Sequence, residues 1–107
     1  MATYGILGTQ TKPAATTLTT LVTGGTNGTI VSSFQVCNTT GSNDSIRVAL
    51  TPSGGTTAAA NYVYYDFTIP ANSTLQETPG WTLGNNETLK VYSTNGNIAF
   101  TATGVIN

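Results

Sequence analysis

Apolar and polar residues alternate along most of the chain, and this period of two constrains the fold more than any other feature. In one segment Ile30, Phe34 and Val36 fall on the same face. The same alternation recurs in residues 18–22, 46–50, 62–69, 89–92 and 98–103. Because successive side chains of a strand point to opposite faces, the pattern predicts half-buried strands. No window has the i, i+3, i+4, i+7 spacing of an amphipathic helix, so we expect an all-β protein.

Clusters of Gly, Asn, Ser and Pro separate the alternating segments. They occupy residues 23–28, 38–44, 52–55, 70–73, 79–80, 84–86 and 94–97. Gly and Asn supply the positive φ angles of tight turns, and Pro ends a strand because it lacks an N–H donor. About seven to eight short strands separated in this way predict an antiparallel β-sandwich. We expect an Ig-like sandwich, with a jelly roll as the alternative connectivity.

The first fifteen residues differ from the rest of the chain, because they contain Pro13 and lack clear alternation. We therefore predict an extended N-terminal arm over residues 1–15 and a single β-sandwich domain over residues 16–107. Tyr4, Ile6 and Leu7 give this arm apolar surface that must be covered, and we predict that they form a protein interface. The alternative is that the arm pairs as a strand within its own sandwich.

Charged residues make up only 7% of the chain, against about 25% in an ordinary soluble domain. With 23 Thr, 10 Asn and 7 Ser, the surface is expected to be polar but nearly uncharged. Electrostatic repulsion between neighbouring molecules is therefore expected to be weak. No basic face is available for nucleic acid, and no apolar run is long enough to cross a membrane.

Histidine is absent and Cys37 is the single cysteine. An intrachain disulfide is therefore impossible, and no set of His and Cys ligands exists for zinc. The four carboxylates lie in different segments, and the most common catalytic base is missing. We expect no enzyme activity, no cofactor and no bound metal.

Aromatic residues cluster near the middle of the chain. Tyr62 and Tyr64 share one face of a predicted strand, opposite to Val63 and Tyr65, and Trp81 follows a Pro-Gly turn. One face is expected in the core and the other on the surface. An exposed tyrosine pair can anchor a protein interface or stack on a sugar ring. We predict that Tyr62, Tyr64 and Trp81 belong to an interface, with core packing and sugar binding left open.

Several of these strand segments also carry a family resemblance. They are IVSSFQVCN at residues 30–38, IRVAL at 46–50, NYVYYD at 61–66, IPAN at 69–72, LG at 83–84, LKVYS at 89–93 and IAF at 98–100. Over about residues 18–100 the chain resembles a family of small virion structural proteins of tailed bacteriophages, including cyanophages. The resemblance implies a particle component without enzyme activity.

From this resemblance we expect a capsid decoration, or cement, protein that stabilises the shell by binding across capsomer seams. Its partners would be the major capsid protein and copies of itself, with neither nucleic acid nor membrane bound. The N-terminus lacks the features of a secretory signal, so we expect assembly in the host cytoplasm and a final location on the capsid surface. The alternatives are a tail, baseplate or fibre component, and a carbohydrate-binding module that attaches to a glycan of the host surface.

Overall fold

The protein is all-β in the computed structural model, which describes residues 2–107. The strands are β1 (Thr3–Thr11), β2 (Thr19–Thr23), β3 (Thr29–Asn38), β4 (Asp44–Thr51), β5 (Tyr62–Ile69), β6 (Thr74–Glu77), β7 (Trp81–Leu83), β8 (Thr88–Ser93) and β9 (Ile98–Ile106). One 3₁₀ turn, Ala59–Asn61, precedes β5. The described part of the chain contains no helix that is long and apolar enough to cross a membrane. The all-β prediction is confirmed.

Two antiparallel sheets form the sandwich. Sheet A has the order β1-β9-β3-β6, with β7 also paired to β3, and sheet B has the order β2-β8-β4-β5. Strands β6 and β7 pair with successive halves of β3, so they act as one strand interrupted by a turn. The chain therefore changes sheet at every connection except β4–β5 and the turn between β6 and β7, and its first strand lies beside its last. This is the connectivity of a jelly roll. The sandwich is confirmed, and the strand order is that of the jelly roll rather than the Ig fold.

The inward faces of both sheets form one apolar core. Phe34 of β3 and Phe100 of β9 are fully buried, and their rings lie 6.0 Å apart. Sheet B contributes β-branched and leucine side chains to the same cluster, among them Ile46, Val48 and Leu89. Such β-branched side chains fit a half-buried pleated surface well.

The structure corrects the prediction of an extended arm over residues 1–15. Residues 3–11 form strand β1, which pairs with β9 through Tyr4 opposite Val105 and Leu7 opposite Ala102. Leu7 is only 1% exposed and belongs to the core. The pairing satisfies backbone groups that β9 would otherwise leave open at its edge. The sandwich thus begins at β1 rather than at residue 16, while Met1 lies outside the described residues.

After Leu7, strand β1 bends over the edge of sheet B and closes one side of the sandwich. Gly8 has a φ of +60°, and a Cβ at this position would overlap the carbonyl oxygen of Leu21. Glycine is therefore required at this close approach. The opposite side, between β5 and β6, contains a groove of about 410 Å³ beside Phe67 and Leu75.

A buried carboxylate ties together the loops at one end of the sandwich. Asp44 is 3% exposed. It accepts hydrogen bonds from the Ser93 hydroxyl at 2.7 Å and from the backbone N–H groups of Ser45 at 2.7 Å, Asn95 at 2.9 Å and Asn97 at 3.1 Å. Burial alone would raise the pKa of Asp44, but these hydrogen bonds lower it below the ordinary value of 3.8. The ionised carboxylate is therefore the form that the fold stabilises.

Candidate binding surfaces

The six residues predicted to form an interface lie in three different parts of the molecule. They are Tyr4, Ile6, Leu7, Tyr62, Tyr64 and Trp81. The first two lie on the outside of sheet A, and Tyr62 lies on the outside of sheet B. The other three contribute to the core. No single surface contains all six residues.

Leu7, Tyr64 and Trp81 pack against the core. Trp81 is half-buried, and its ring lies 5.4 Å from that of Phe34. Tyr64 is half-buried as well, and burial, followed by the nearby charge of Glu77, raises the pKa of its phenol. Leu7 is fully buried, so it has no surface to offer a partner. For the half-buried Tyr64 and Trp81, the interface role stays a prediction.

A row of apolar side chains crosses the outer face of sheet A. Tyr4 of β1 pairs with Val105 of β9, which pairs with Ile30 of β3. Tyr4 is 77% exposed, and Ile6, two residues further along β1, is 58% exposed. The row is thus exposed at the edge strand β1, where Tyr4 and Ile6 lie, and half-buried at Val105 and Ile30 nearer the centre of the sheet.

The rest of this face is uncharged and mostly polar. Besides Cys37 and Ala99, the outward side chains around the apolar row include Ser33, Gln35, Thr74, Gln76, Thr82, Thr101 and Thr103. Ser33 and Thr103 share a hydrogen bond of 2.6 Å across the strands. Glu77 is the single charged residue in the strands of sheet A, and it occupies an inward position opposite Phe34. We call the outer side of sheet A the neutral face.

The outer side of sheet B has a different chemistry, because three charged side chains lie on it, while Asp44, the fourth charged residue in its strands, is buried. Arg47 of β4 donates from Nε to Oδ1 of Asp66 at 2.6 Å and from Nη2 to Oδ2 at 3.3 Å. Its guanidinium carbon lies 4.2 Å from the ring centre of Tyr65 and 4.6 Å from that of Tyr92. The hydrogen bond to Asp66 is the main reason that the pKa of Arg47 is raised. Lys90 of β8 stands on the same face.

A β-bulge in β5 creates this arrangement. Ile46 pairs with Phe67 and Val48 pairs with Tyr64, so Tyr65 and Asp66 together stand opposite Arg47. An extra residue in one strand re-aims the side chains around it. Both Tyr65 and Asp66 therefore reach the guanidinium from the same side of the sheet.

Tyr62 extends the cluster toward an open groove. Its ring meets that of Tyr65 nearly edge-on, with ring centres 5.1 Å apart. The two rings and residues Thr57, Ala58 and Ala59 line a groove of about 480 Å³. We call Arg47, Tyr62, Tyr65, Asp66 and Tyr92 the tyrosine–arginine cluster. The sequence pattern predicts an exposed role for Tyr62, but it pairs Tyr62 with Tyr64 instead of Tyr65. A local signal for the rest of the cluster is Asp66, an acidic residue within a strand, where such residues are uncommon.

No metal-binding group of three or more His, Cys, Asp or Glu side chains occurs within residues 2–107. Comparisons with protein families, with curated proteins and with solved structures found no match to the chain. The neutral face and the tyrosine–arginine cluster are therefore the two features of the protein that bear on its function.

Proposed function

We propose that the protein is a structural component of a tailed-bacteriophage virion, without enzyme activity, and that it decorates the capsid. The observation that carries this proposal is the neutral face, an uncharged sheet surface crossed by an apolar row that ends at Tyr4 and Ile6. Burying such a face against another protein removes apolar area from water without stripping water from charges. Tyrosine is enriched in protein interfaces relative to the rest of the protein surface.

The fold is compatible with this role, since jelly rolls are common among viral capsid domains. Because many functions occur on the same fold, the proposed function rests on the chemistry of the neutral face and not on the jelly roll alone. A decoration protein is present in many copies on a regular shell, and contacts that are modest individually hold firmly when several act together. On a shell that binds many copies, a face with a few apolar side chains is sufficient for stable attachment.

We propose the major capsid protein as the partner of the neutral face, and a second copy of the chain as the partner of strand β1. Strand β1 is an edge of sheet A and carries no charged side chain. Charged residues are a common means of preventing edge strands from pairing with other chains. Their absence here favours homo-oligomer formation along β1 when copies lie side by side on a shell.

A tail, baseplate or fibre component is the alternative within the virion, because the same face can serve any protein surface. Separation of heads from tails, followed by quantitative mass spectrometry, distinguishes the two. We expect the protein in the head fraction, at a fixed ratio to the major capsid protein and accessible to antibodies on intact particles. Recovery with tails supports the alternative. Absence from purified virions contradicts a virion role altogether.

A further inference from the structure

We propose that the tyrosine–arginine cluster on sheet B binds a neutral oligosaccharide. The site lies on the opposite side of the sandwich from the neutral face, so it does not depend on the proposed capsid contact. Three observations support it: an exposed aromatic platform, a planar ion pair with unused hydrogen-bonding capacity, and a groove that continues from them.

The aromatic platform consists of Tyr65 with its neighbours Tyr62 and Tyr92. Tyr65 is 59% exposed although it contacts both Arg47 and the ring of Tyr62. These contacts hold the ring in a fixed position without covering it. A sugar ring has an apolar face of C–H groups, and a fixed aromatic surface is well suited to pack against such a face.

The Arg47–Asp66 pair supplies directional hydrogen bonds at the edge of this platform. A guanidinium has five N–H donors, of which two are used here, and a carboxylate accepts about four hydrogen bonds. Neighbouring hydroxyl groups of a sugar can therefore donate to Asp66 and accept from Arg47 at the same time. Because Asp66 neutralises Arg47 and would repel an anion, the pair itself favours an uncharged polyol over a phosphate or an acidic peptide. Lys90 on the same face has the opposite effect, so phosphate is the comparison that the test must include.

The adjoining groove favours an oligosaccharide over a single sugar. Its volume of about 480 Å³ lies within the usual range of small-molecule sites, roughly 300–1,000 Å³. Tyr62 and Tyr65 line it together with Ala58, Ala59 and Thr57, whose hydroxyl already shares a hydrogen bond of 2.7 Å with that of Thr51. An oligosaccharide whose first sugar ring packs on Tyr65 can place its next sugar ring in this groove.

Titration of the isolated protein with defined sugars, followed by backbone amide NMR, tests the proposal. The probes are maltohexaose, cellohexaose, chitohexaose and mannohexaose, with inorganic phosphate as the anionic comparison. We expect at least one sugar to shift the amides of residues 47, 62–66 and 92, and phosphate to leave them unchanged.

Matched tyrosine variants show whether the shifts report this site. Tyr65→Ala should weaken sugar binding by about tenfold or more, while Tyr4→Ala, which removes an exposed tyrosine from the neutral face, should leave it unchanged. Arg47→Lys keeps the charge but loses the planar fork, and it should also weaken binding. The amide spectrum of each variant verifies that the fold is intact.

Three results would overturn the proposal. One is the absence of shifts at these residues with every sugar at about 10 mM, a concentration that detects even a site with a Kd of about 1 mM. Another is equal sugar affinity of Tyr65→Ala and the unaltered protein. A third is stronger binding of phosphate than of any sugar at the cluster.

Discussion

Ile6 and Leu7 are adjacent, similar in size and equally apolar, yet they have opposite environments. Leu7 points into the core and Ile6 points to solvent, because successive residues of β1 face opposite sides of sheet A. Composition cannot distinguish them, and only the pairing of β1 with β9 does. At the scale of single residues, the pairing of strands determines whether an apolar side chain stabilises the fold or remains available to a partner.

This difference predicts different effects of shortening the two side chains. Leu7→Ala should lower the free energy of unfolding by about 2–4 kcal/mol, because it leaves a cavity in the core. Ile6→Ala should change it by less than about 0.5 kcal/mol, as is usual for an exposed site. Urea denaturation of both variants measures the effects. Equal effects would contradict the position of β1 in the sandwich.

Asp44 predicts a specific loss of stability in acid. The pKa of Asp44 in the folded protein is lowered below the ordinary value of 3.8. The ionised carboxylate therefore contributes its full stabilisation at pH values above 3.8, the pKa expected for the unfolded chain. The contribution is then lost as the pH falls through the lower pKa of the folded state. Denaturation curves between about pH 6 and pH 2 should show this loss. In Asp44→Asn, stability should be lower at neutral pH and should depend less on pH across the acid range. An equally steep acid loss in that variant would contradict a role for Asp44.

At the scale of strands, the sequence predicts where strands occur better than which face each residue takes. The alternation places Ile30 on the face of Phe34, but a register shift between Val31 and Ser33 turns Ile30 outward. The bulge in β5 likewise separates Tyr65 from Ile69, which the alternation places together. A bulge is defined by the pairing of two strands, so a local pattern in one of them does not reveal it.

Strand β1 is only the alternative interpretation of residues 1–15 in the sequence, for a related reason. Gly5 and Gly8 interrupt its alternation, and the strand is recognisable only from its partner β9. Removal of residues 2–11 should destabilise the domain, because it takes away Leu7 and exposes the edge of β9. We expect a fall in Tm of at least about 10 °C, given about 4–8 °C per kcal/mol for a domain of this size. A truncated protein that melts like the full chain would show that β1 is dispensable for the fold.

At the scale of the whole molecule, the two outer faces of the sandwich differ in charge. The neutral face lies on sheet A, while Arg47, Asp66 and Lys90 lie on the strands of sheet B. The low charge content was evident from composition. The concentration of outward-facing charges on sheet B was not evident from composition, because it depends on which strands share a sheet. The proposed attachment through sheet A would leave the tyrosine–arginine cluster directed away from the shell.

Attachment through an uncharged face predicts weak dependence on salt. Screening reduces interactions between charges, and its range falls from about 30 Å at 0.01 M to about 3 Å at 1 M salt. Binding of the protein to its shell should therefore change by less than about threefold between 0.05 and 0.5 M NaCl. A loss of affinity of a hundredfold or more would indicate that charged residues make the main contact.

The most direct test of a capsid role compares two lysine substitutions in binding to shells that lack the protein. Ile6→Lys places a charge on the neutral face, while Thr20→Lys places the same charge on an exposed strand position of sheet B, opposite Lys90. Both sites are exposed, so both variants should fold, although the like charges at residues 20 and 90 should lower the stability of the control by up to about 1 kcal/mol. Denaturation curves verify that both variants are folded under the binding conditions. We expect saturable binding by the unaltered protein and by Thr20→Lys, and a loss of binding by at least about tenfold in Ile6→Lys, because a charge in an apolar contact must lose its water. Unchanged binding by Ile6→Lys, or failure of the unaltered protein to bind shells, would contradict attachment through the neutral face.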